Sequence, residues 1–322
     1  MCPAYLYPAY LAYLTYLAYL TYLTYPAYPP PRASSLEWPP MRIAYQGEPG
    51  AYSEAAALKF HAAADVLPYP SFEDVFAAVM TGKATHGILP VENSIGGSIH
   101  RNFDLLAEHD LPIVGEVELL VEHCLLAYPG ATRESLRRIY SHPQALAQCE
   151  QFLRALSPRT DGQPASVEIV ATYDTAGSAK LIRDQALTDT GAIASARAGE
   201  IFGLQILESG IQDFAANLTR FVIIARNAET AADADKTTIL FALPNEPGAL
   251  FKALSVFALR DIDLTKLESR PIRGRPWEYM FYADLGVGRQ DMRCARALIH
   301  LAEFAKWVRT LGSYRRWKGN GE

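Results

Sequence analysis

From Met41 to Ala225, short apolar runs alternate with segments whose apolar residues recur every three or four positions, which confines this stretch to an α/β layout. Met41-Arg42-Ile43-Ala44-Tyr45 reads as a strand, followed by Gly47, Gly50 and a helix from about Ser53 to Phe60. Ser71 is placed to cap a helix in which Phe72, Val75, Phe76 and Val79 keep the spacing of one buried face, ended by Gly82. His86 to Val91 is the next strand, and it delivers Glu92-Asn93-Ser94 and Gly96-Gly97-Ser98 to a helix bearing Phe103, Leu105 and Leu106. Strands follow over 113–118 and 124–127. Ile139-Tyr140-Ser141 then leads into a helix with Ser141 set to cap it, Pro143 in its first turn, and Leu146, Cys149, Phe152, Leu153 and Leu156 on its buried face. Further strands are expected over 167–171, 192–194 and 204–207, with helices from Asp174-Thr175-Ala176-Gly177 through Ile182 and from Ala196 to Phe202, ended by Gly203.

Four strand-to-helix turns, around Ser53, Ser98, Ser141 and Thr175, set a hydroxyl beside the free N–H groups of a helix start, and such starts attract anions. Any one of them is ordinary capping. Several converging between two lobes would form a cleft for an organic anion with more than one carboxylate. The mouth of the buried run Phe221 to Ala225 carries Asn217-Leu218-Thr219-Arg220, which brings together an amide, a hydroxyl and a permanently charged guanidinium. Arg220 is expected to be the fixed cation of the cleft.

Composition narrows the choices. With 322 residues, half of them apolar, the chain can bury two or three cores, and a net charge of -5 argues against a nucleic-acid or anionic-membrane surface. Cys2, Cys124, Cys149 and Cys294 are scattered, and the seven histidines keep no metal-binding spacing, so neither disulfides nor a metal is expected. Residues 1–40 differ in kind: tyrosine recurs at every third position from Tyr10 to Tyr28 before a run of prolines. That period builds no core, and we expect a disordered extension. The uncharged run from Ala9 to Tyr25 approaches bilayer-spanning length, but it is weakly hydrophobic, lacks a cationic flank and lies between Pro8 and Pro26, so no stable membrane span is expected.

Several motifs, in order and at suitable spacing, resemble the prephenate dehydratase family: Gly47-Glu48-Pro49-Gly50-Ala51-Tyr52-Ser53, Leu89-Pro90-Val91-Glu92-Asn93-Ser94, Ser141-His142-Pro143-Gln144-Ala145-Leu146, Asp174-Thr175-Ala176-Gly177 and Thr219-Arg220-Phe221. The run from Ile99-His100-Arg101-Asn102 to His123-Cys124-Leu125 is most similar to the plant and algal arogenate/prephenate dehydratases, although Ile211-Gln212-Asp213-Phe214 is less acidic than usual there. The resemblance covers about residues 41–318 and implies a two-lobed fold similar to type II periplasmic binding proteins, with lobe one at 41–120 plus 205–227 and lobe two at 121–204. It implies decarboxylating dehydration of prephenate or arogenate without a cofactor, in the plastid stroma, or else in the cytoplasm, since residues 1–40 are atypical of a plastid leader. Hydroxide is a poor leaving group, so a proton must reach it as CO2 departs. Thr219 is the implied donor, with Arg220 stabilising anionic charge; Glu92 and His142 are alternative proton sources. Substrate contacts are implied for Ser53, for Asn93, Ser94, Gly97 and Ser98, for Ser141, His142 and Gln144, for Thr175 and Ala176, and for Asn217 and Phe221.

After the polar linker 228–235, the pattern strand, helix, strand, strand, helix, strand over 236–318 is ferredoxin-like. Asn245-Glu246-Pro247-Gly248-Ala249-Leu250 and Glu268-Ser269-Arg270-Pro271 resemble the two phenylalanine-binding motifs of the ACT domain. Taken alone they are a turn glycine and a strand-end ion pair. Behind a dehydratase body they imply phenylalanine as effector, held by Asn245, Gly248, Ala249, Leu250, Glu268, Ser269, Arg270 and Pro271, in a homodimer or homotetramer. The rival readings are a small-anion-binding module and a catalytically silent amino-acid sensor.

Overall fold

The computed structural model describes residues 41–156, 167–227 and 231–319. The tyrosine-rich stretch and part of the 228–235 linker lie outside the described residues. The rest forms three sheets.

The first sheet runs β2 (Asp65–Tyr69), β1 (Arg42–Gln46), β3 (His86–Asn93), β11 (Leu218–Ala225) and β5 (Ile113–Leu120), with the short β4 (Gly97–Ser98) beside β3. Strand β11 is antiparallel to both neighbours, and Phe221 to Ala225 are buried, as a central strand reading Phe-Val-Ile-Ile-Ala requires. Helices α1 (Tyr52–Phe60), α2 (Phe72–Met80) and α3 (His100–Glu108) cover this sheet. Ser71 caps α2 through the Asp74 N–H. Strand β2 has no counterpart in the sequence reading. It is a half-exposed edge strand containing Pro68, which an edge tolerates but which breaks the apolar signal.

The second sheet is ordered β10 (Gln205–Ser209), β6 (Cys124–Ala127), β9 (Thr190–Ala194), β7 (Arg138–Ser141) and β8 (Glu168–Ala171). Its helices are α4 (Pro143–Gln148), α5 (Glu150–Leu156), α6 (Thr175–Asp184) and α7 (Ala196–Phe202). Two expectations are corrected here. Strand β10 pairs antiparallel with β6, so 205–209 belongs to the second lobe and the chain returns to the first only over 210–217. Ser141 does not cap α4: it is fully buried and its hydroxyl donates to the Ile193 carbonyl at 2.6 Å, while His142 Nδ1 accepts the Gln144 N–H.

The C-terminal domain has strand order β13 (Leu264–Pro271), β14 (Tyr279–Leu285), β12 (Lys236–Ala242) and β15 (Trp307–Tyr314), with α8 (Ala249–Ala258) and α9 (Met292–Ala302) on one face. Ile239, Phe241 and Ala283 point to those helices. Alternate residues Leu240, Tyr282 and Met280 join Val75, Phe76, Phe103 and Leu106 of the first lobe in one core. The approach is close enough that a Cβ on Gly312 of β15 would lie 2.0 Å from the Ile113 carbonyl oxygen of β5.

Charge completes that junction. Asp284 Oδ2 lies 2.6 Å from Arg220 Nη1 and 3.2 Å from Lys236 Nζ, while Lys236 Nζ reaches Glu116 at 2.6 Å. Arg220 Nη2 holds Glu92 at 2.8 Å, and Lys266 Nζ takes the other Glu92 oxygen at 2.8 Å. Burial works against the Asp284 charge, but Lys236, Arg220 and the Thr238 hydroxyl outweigh it and hold its pKa below the usual range. Glu92 is depressed likewise, burial being overcome by Lys266 and Arg220. These depressed values stabilise the fold above the ordinary carboxylate range, and the contribution fades as pH falls through them. Asp284→Asn leaves Arg220 and Lys236 one carboxylate short in a buried junction and should cost about 3 kcal/mol. Denaturant midpoints of wild type and variant should converge on acidification below about pH 4; midpoints that stay parallel would refute the assignment.

Candidate active site

A cleft of about 480 Å³ opens between the two lobes. Strand β3 ends at Asn93 and β11 begins beside it, so the first lobe contributes Asn93, Thr219 and Phe221 together with Gln46 and the start of α1 at Ala51, Tyr52 and Ser53. The second lobe contributes His142, Gln144 and Gln148 of α4 and Tyr173, Asp174 and Thr175 at the start of α6. His123, on the crossing between lobes, faces the same space.

Thr219 is 7 % exposed, and its Oγ1 accepts from Asn93 Nδ2 at 2.9 Å. A hydroxyl that accepts there keeps its own proton to donate elsewhere. Asn93 is itself fixed: Nδ2 also reaches Asn217 Oδ1 at 2.7 Å, and Oδ1 accepts the Gly96 N–H at 2.7 Å and Gln148 Nε2 at 3.3 Å. Gln148 Oε1 accepts from Asn217 Nδ2 at 3.1 Å and sits 2.9 Å from His123 Nε2, whose other nitrogen meets the Tyr52 hydroxyl at 2.8 Å. The neutral imidazole with its proton on Nε2 satisfies every member of this chain. Burial lowers the His123 pKa, with Gln148 opposing, which agrees with a neutral ring.

Arg220 departs from expectation. Successive side chains on a strand point to opposite faces, so Thr219 and Phe221 enter the cleft while Arg220 turns to the ionic junction with Asp284 and Glu92. Burial disfavours its charge, but Asp284, Glu116 and Glu92 prevail and keep it protonated. The cleft lining contains no lysine or arginine among the described residues. Glu92 shares that junction, so neither residue lines the cleft.

The four anion-seeking turns separate. No side chain caps α1, whose first residues Tyr52 and Ser53 line the cleft, and Glu54 of its first turn accepts from the Gly50 N–H just ahead of it. Thr175 lines the cleft, but its helix already carries a carboxylate at the N-cap, since Asp174 Oδ1 accepts the Gly177 N–H at 2.7 Å. Burial raises the Asp174 pKa from its ordinary value, with the Gly177 N–H opposing. Ser98 donates to Glu268 at 2.7 Å and, with Gly97, lies off the cleft lining. Ser141 and Ala176 are core, Asn217 is buried behind Asn93, and the Ser94 hydroxyl donates to the Ala216 carbonyl. Thus Ser53, Asn93, His142, Gln144, Thr175, Thr219 and Phe221 share the cleft, and the other expected substrate contacts support it from behind or stand apart.

Sequence reasoning missed Tyr52, His123, Gln148 and Asp174 as cleft residues. Two of them left a signal: Gln148 follows Gln144 by one helical turn, and Asp174 occupies the capping position of its motif. Among the described residues no group of His, Cys, Asp or Glu can hold a metal ion. Burial pushes the Cys149 thiol up to about 12, so it is no nucleophile.

In the C-terminal domain, Gly248 adopts φ 80° at the start of α8, and Asn245, Ala249 and Leu250 form an accessible turn with it. Glu268 and Arg270, expected to hold phenylalanine, instead face the first lobe in this structure. Glu268 accepts from Ser98 and lies 3.3 Å from His100 Nε2, and Arg270 grips Asp104 with two bonds of 3.1 and 3.0 Å. Ser269 and Pro271 are exposed.

Residues 43–229 match the family model described as prephenate dehydratase, and 237–291 match that of the ACT domain. The chloroplastic arogenate dehydratase/prephenate dehydratase 6 of Arabidopsis thaliana is 50% identical over 290 residues, covering 85% of this chain and 68% of that protein. Arogenate dehydratase 1 of Petunia hybrida is also 50% identical, over 85% of this chain and 66% of its own length. The chain thus spans about two thirds of these plant relatives. Among solved structures, a prephenate dehydratase from Arthrobacter aurescens in complex with L-Phe is 31% identical, with a TM-score of 0.77 over 85% of this chain and 90% of that one. A protein described as GqqA, a novel type of quorum quenching acylase, is 37% identical, with a TM-score of 0.76 over 86% of this chain and 98% of that one. A two-lobed body that matches over its whole length, followed by a regulatory module that matches separately, makes this chain a member of the prephenate dehydratase family with a C-terminal ACT domain.

Proposed function

We propose that this chain performs the decarboxylating dehydration of arogenate to phenylalanine in preference to that of prephenate to phenylpyruvate, under control of phenylalanine. The observation that carries the reaction is the Thr219 hydroxyl in the cleft, its oxygen occupied by Asn93 and its proton free. The substrate's ring carboxylate leaves as CO2, its bonding electrons become a ring π bond, and the ring hydroxyl leaves as water, so one proton is consumed overall. Thr219 donates to the departing oxygen, transfers the proton only as the C–O bond breaks, since a neutral hydroxyl is a weak acid, and takes the proton consumed overall from solvent to restore its hydroxyl. The open N-terminus of α1 suits a substrate carboxylate.

The preference rests on charge. Prephenate brings two carboxylates and no cation, whereas arogenate carries an ammonium. The lining offers Asp174 and Glu73 and, among the described residues, no basic side chain beyond histidine. Asp174 is the proposed ammonium partner. Acyl hydrolysis gains no support from the cleft: His123 bonds Tyr52 and Gln148, and His142 accepts a backbone N–H, so neither is seen activating a serine or threonine.

Chloroplastic relatives support a plastid location, and exposed Leu250, Phe251 and Leu259 on and after α8 support pairing of chains through the ACT domain, as a homodimer or homotetramer. Phenylalanine is then read by the Gly248-Ala249-Leu250 turn, together with Glu268 and Arg270 once these release the first lobe.

Thr219→Ala should keep its fold and its KM while kcat falls by about 100-fold or more; an unchanged kcat would return the cleft to a binding role. Asp174→Asn preserves the cap, because asparagine caps as well as aspartate, and removes only the charge. The arogenate-to-prephenate ratio of kcat/KM should drop by roughly tenfold, and the wild-type KM for arogenate alone should rise as acidification protonates Asp174. An unaltered ratio would remove Asp174 from recognition. Leu250→Asp should abolish the response of turnover to phenylalanine and leave turnover without effector intact; a retained response would place the effector elsewhere.

A further inference from the structure

A second cavity, of about 380 Å³, lies between α3 of the first lobe and the sheet of the ACT domain, away from the catalytic cleft. Its volume falls within the range of about 300–1,000 Å³ usual for small-molecule sites. The floor is apolar, formed by Leu240, Met280, Ile272 and Trp307. Its charged lining residues are two carboxylates, Asp104 and Glu108, and two guanidiniums, Arg273 and Arg309.

Two polar ends in that lining are incompletely used. Arg309 donates through Nη2 to the Leu106 carbonyl, but its Nε is buried with no hydrogen-bond partner. A buried donor of this kind is uncommon in a folded protein and shows a guanidinium whose hydrogen bonding is incomplete. Glu108 is approached by Arg273 at 2.9 Å and by Arg101 at 3.4 Å, and both contacts fall on Oε1. Neither contact uses Oε2.

We infer that this cavity binds a free α-amino acid with an apolar or aromatic side chain, at a place separate from the Gly248-Ala249-Leu250 turn. The ligand carboxylate meets the Arg309 guanidinium, its ammonium meets Glu108, and its side chain lies on Met280, Leu240 and Trp307. The formal charges of the lining cancel, so a bare carboxylate or a bare amine gains at one end only, whereas a zwitterion gains at both. The site is also joined to the motif strand: Asp104, in its wall, is the carboxylate gripped by Arg270 of β13. A ligand here therefore bears on the same helix that the Glu268-Ser269-Arg270-Pro271 segment holds.

The test is calorimetric titration of the full chain with phenylalanine, tyrosine, tryptophan, leucine and methionine, each alone, in the Leu250→Asp background that disables the other motif. At least one should bind, and its deaminated and decarboxylated analogues should bind at least about tenfold more weakly. Ala107→Trp, at a half-buried position of α3 in the cavity wall, fills the cavity without touching the cleft; it should abolish that binding and leave turnover unchanged, with thermal unfolding showing that the domains still dock. Arg309→Met should weaken it through loss of the carboxylate partner, with thermal unfolding showing that the domain still docks. Absence of binding by all five, binding that survives Ala107→Trp, or equal binding of the analogues would each overturn the inference. None of these outcomes depends on whether the cleft prefers arogenate.

Discussion

One residue step along β11 connects the chemistry of this protein to its regulation. The strand's pleat turns Thr219 into the cleft and Arg220 into the charged junction with the ACT domain, where Asp284 Oδ2 lies 2.6 Å away. The hydroxyl cannot shift without the guanidinium, because adjacent residues on a paired strand move together. Glu92 repeats the arrangement on β3: it holds Arg220 from the neighbouring strand while the next residue, Asn93, orients the Thr219 oxygen. The ionic junction therefore does more than join two domains. It sets the position of Thr219 and Asn93, the residues to which we assign proton delivery, and Lys236 and Lys266, with Arg220, hold Asp284 and Glu92 ionised.

Across the cleft the coupling is made of neutral groups. Asn93, Asn217, Gln148, His123 and Tyr52 pass hydrogen bonds from one lobe to the other, and each amide uses both its oxygen and its nitrogen. Such a chain holds its geometry only while every link is satisfied. Burial keeps His123 uncharged, so the chain is not broken by protonation near neutral pH. Charge enters the cleft at the starts of two helices, where the uncapped end of α1 is positive and the Asp174 carboxylate at the cap of α6 is negative, the pair of signs on which the proposed recognition rests.

Much of this was legible in the residues. Periodicity located the central strands and the helices on them, because β3, β11 and α2 bury long apolar faces. Edge elements were harder: β2 is half-exposed and interrupted by Pro68, and β10 reads as a strand but nothing in its sequence says which sheet it joins. The Thr219 position was readable from the polar mouth of β11, but the destination of Arg220 was not. That depends on Asp284, 64 residues further on, in another domain. Ser141 looked like a cap because serines before helices usually are, and only the strand packed beside it, ending in Ile193 and Ala194, claims its hydroxyl. Local chemistry was visible wherever the partner was local.

The tight seat of Gly312 on the Ile113 carbonyl has a consequence for how this protein can vary over time. Main chain meets main chain there, so no rearrangement of neighbouring side chains can make room for a larger residue. Lineages that keep this docking mode must keep a bare α-carbon at 312, whereas exposed ion pairs at the rim of the joint, such as Arg273 with Glu108, can be exchanged one at a time. The joint is thus free to retune its strength while its spacing stays locked.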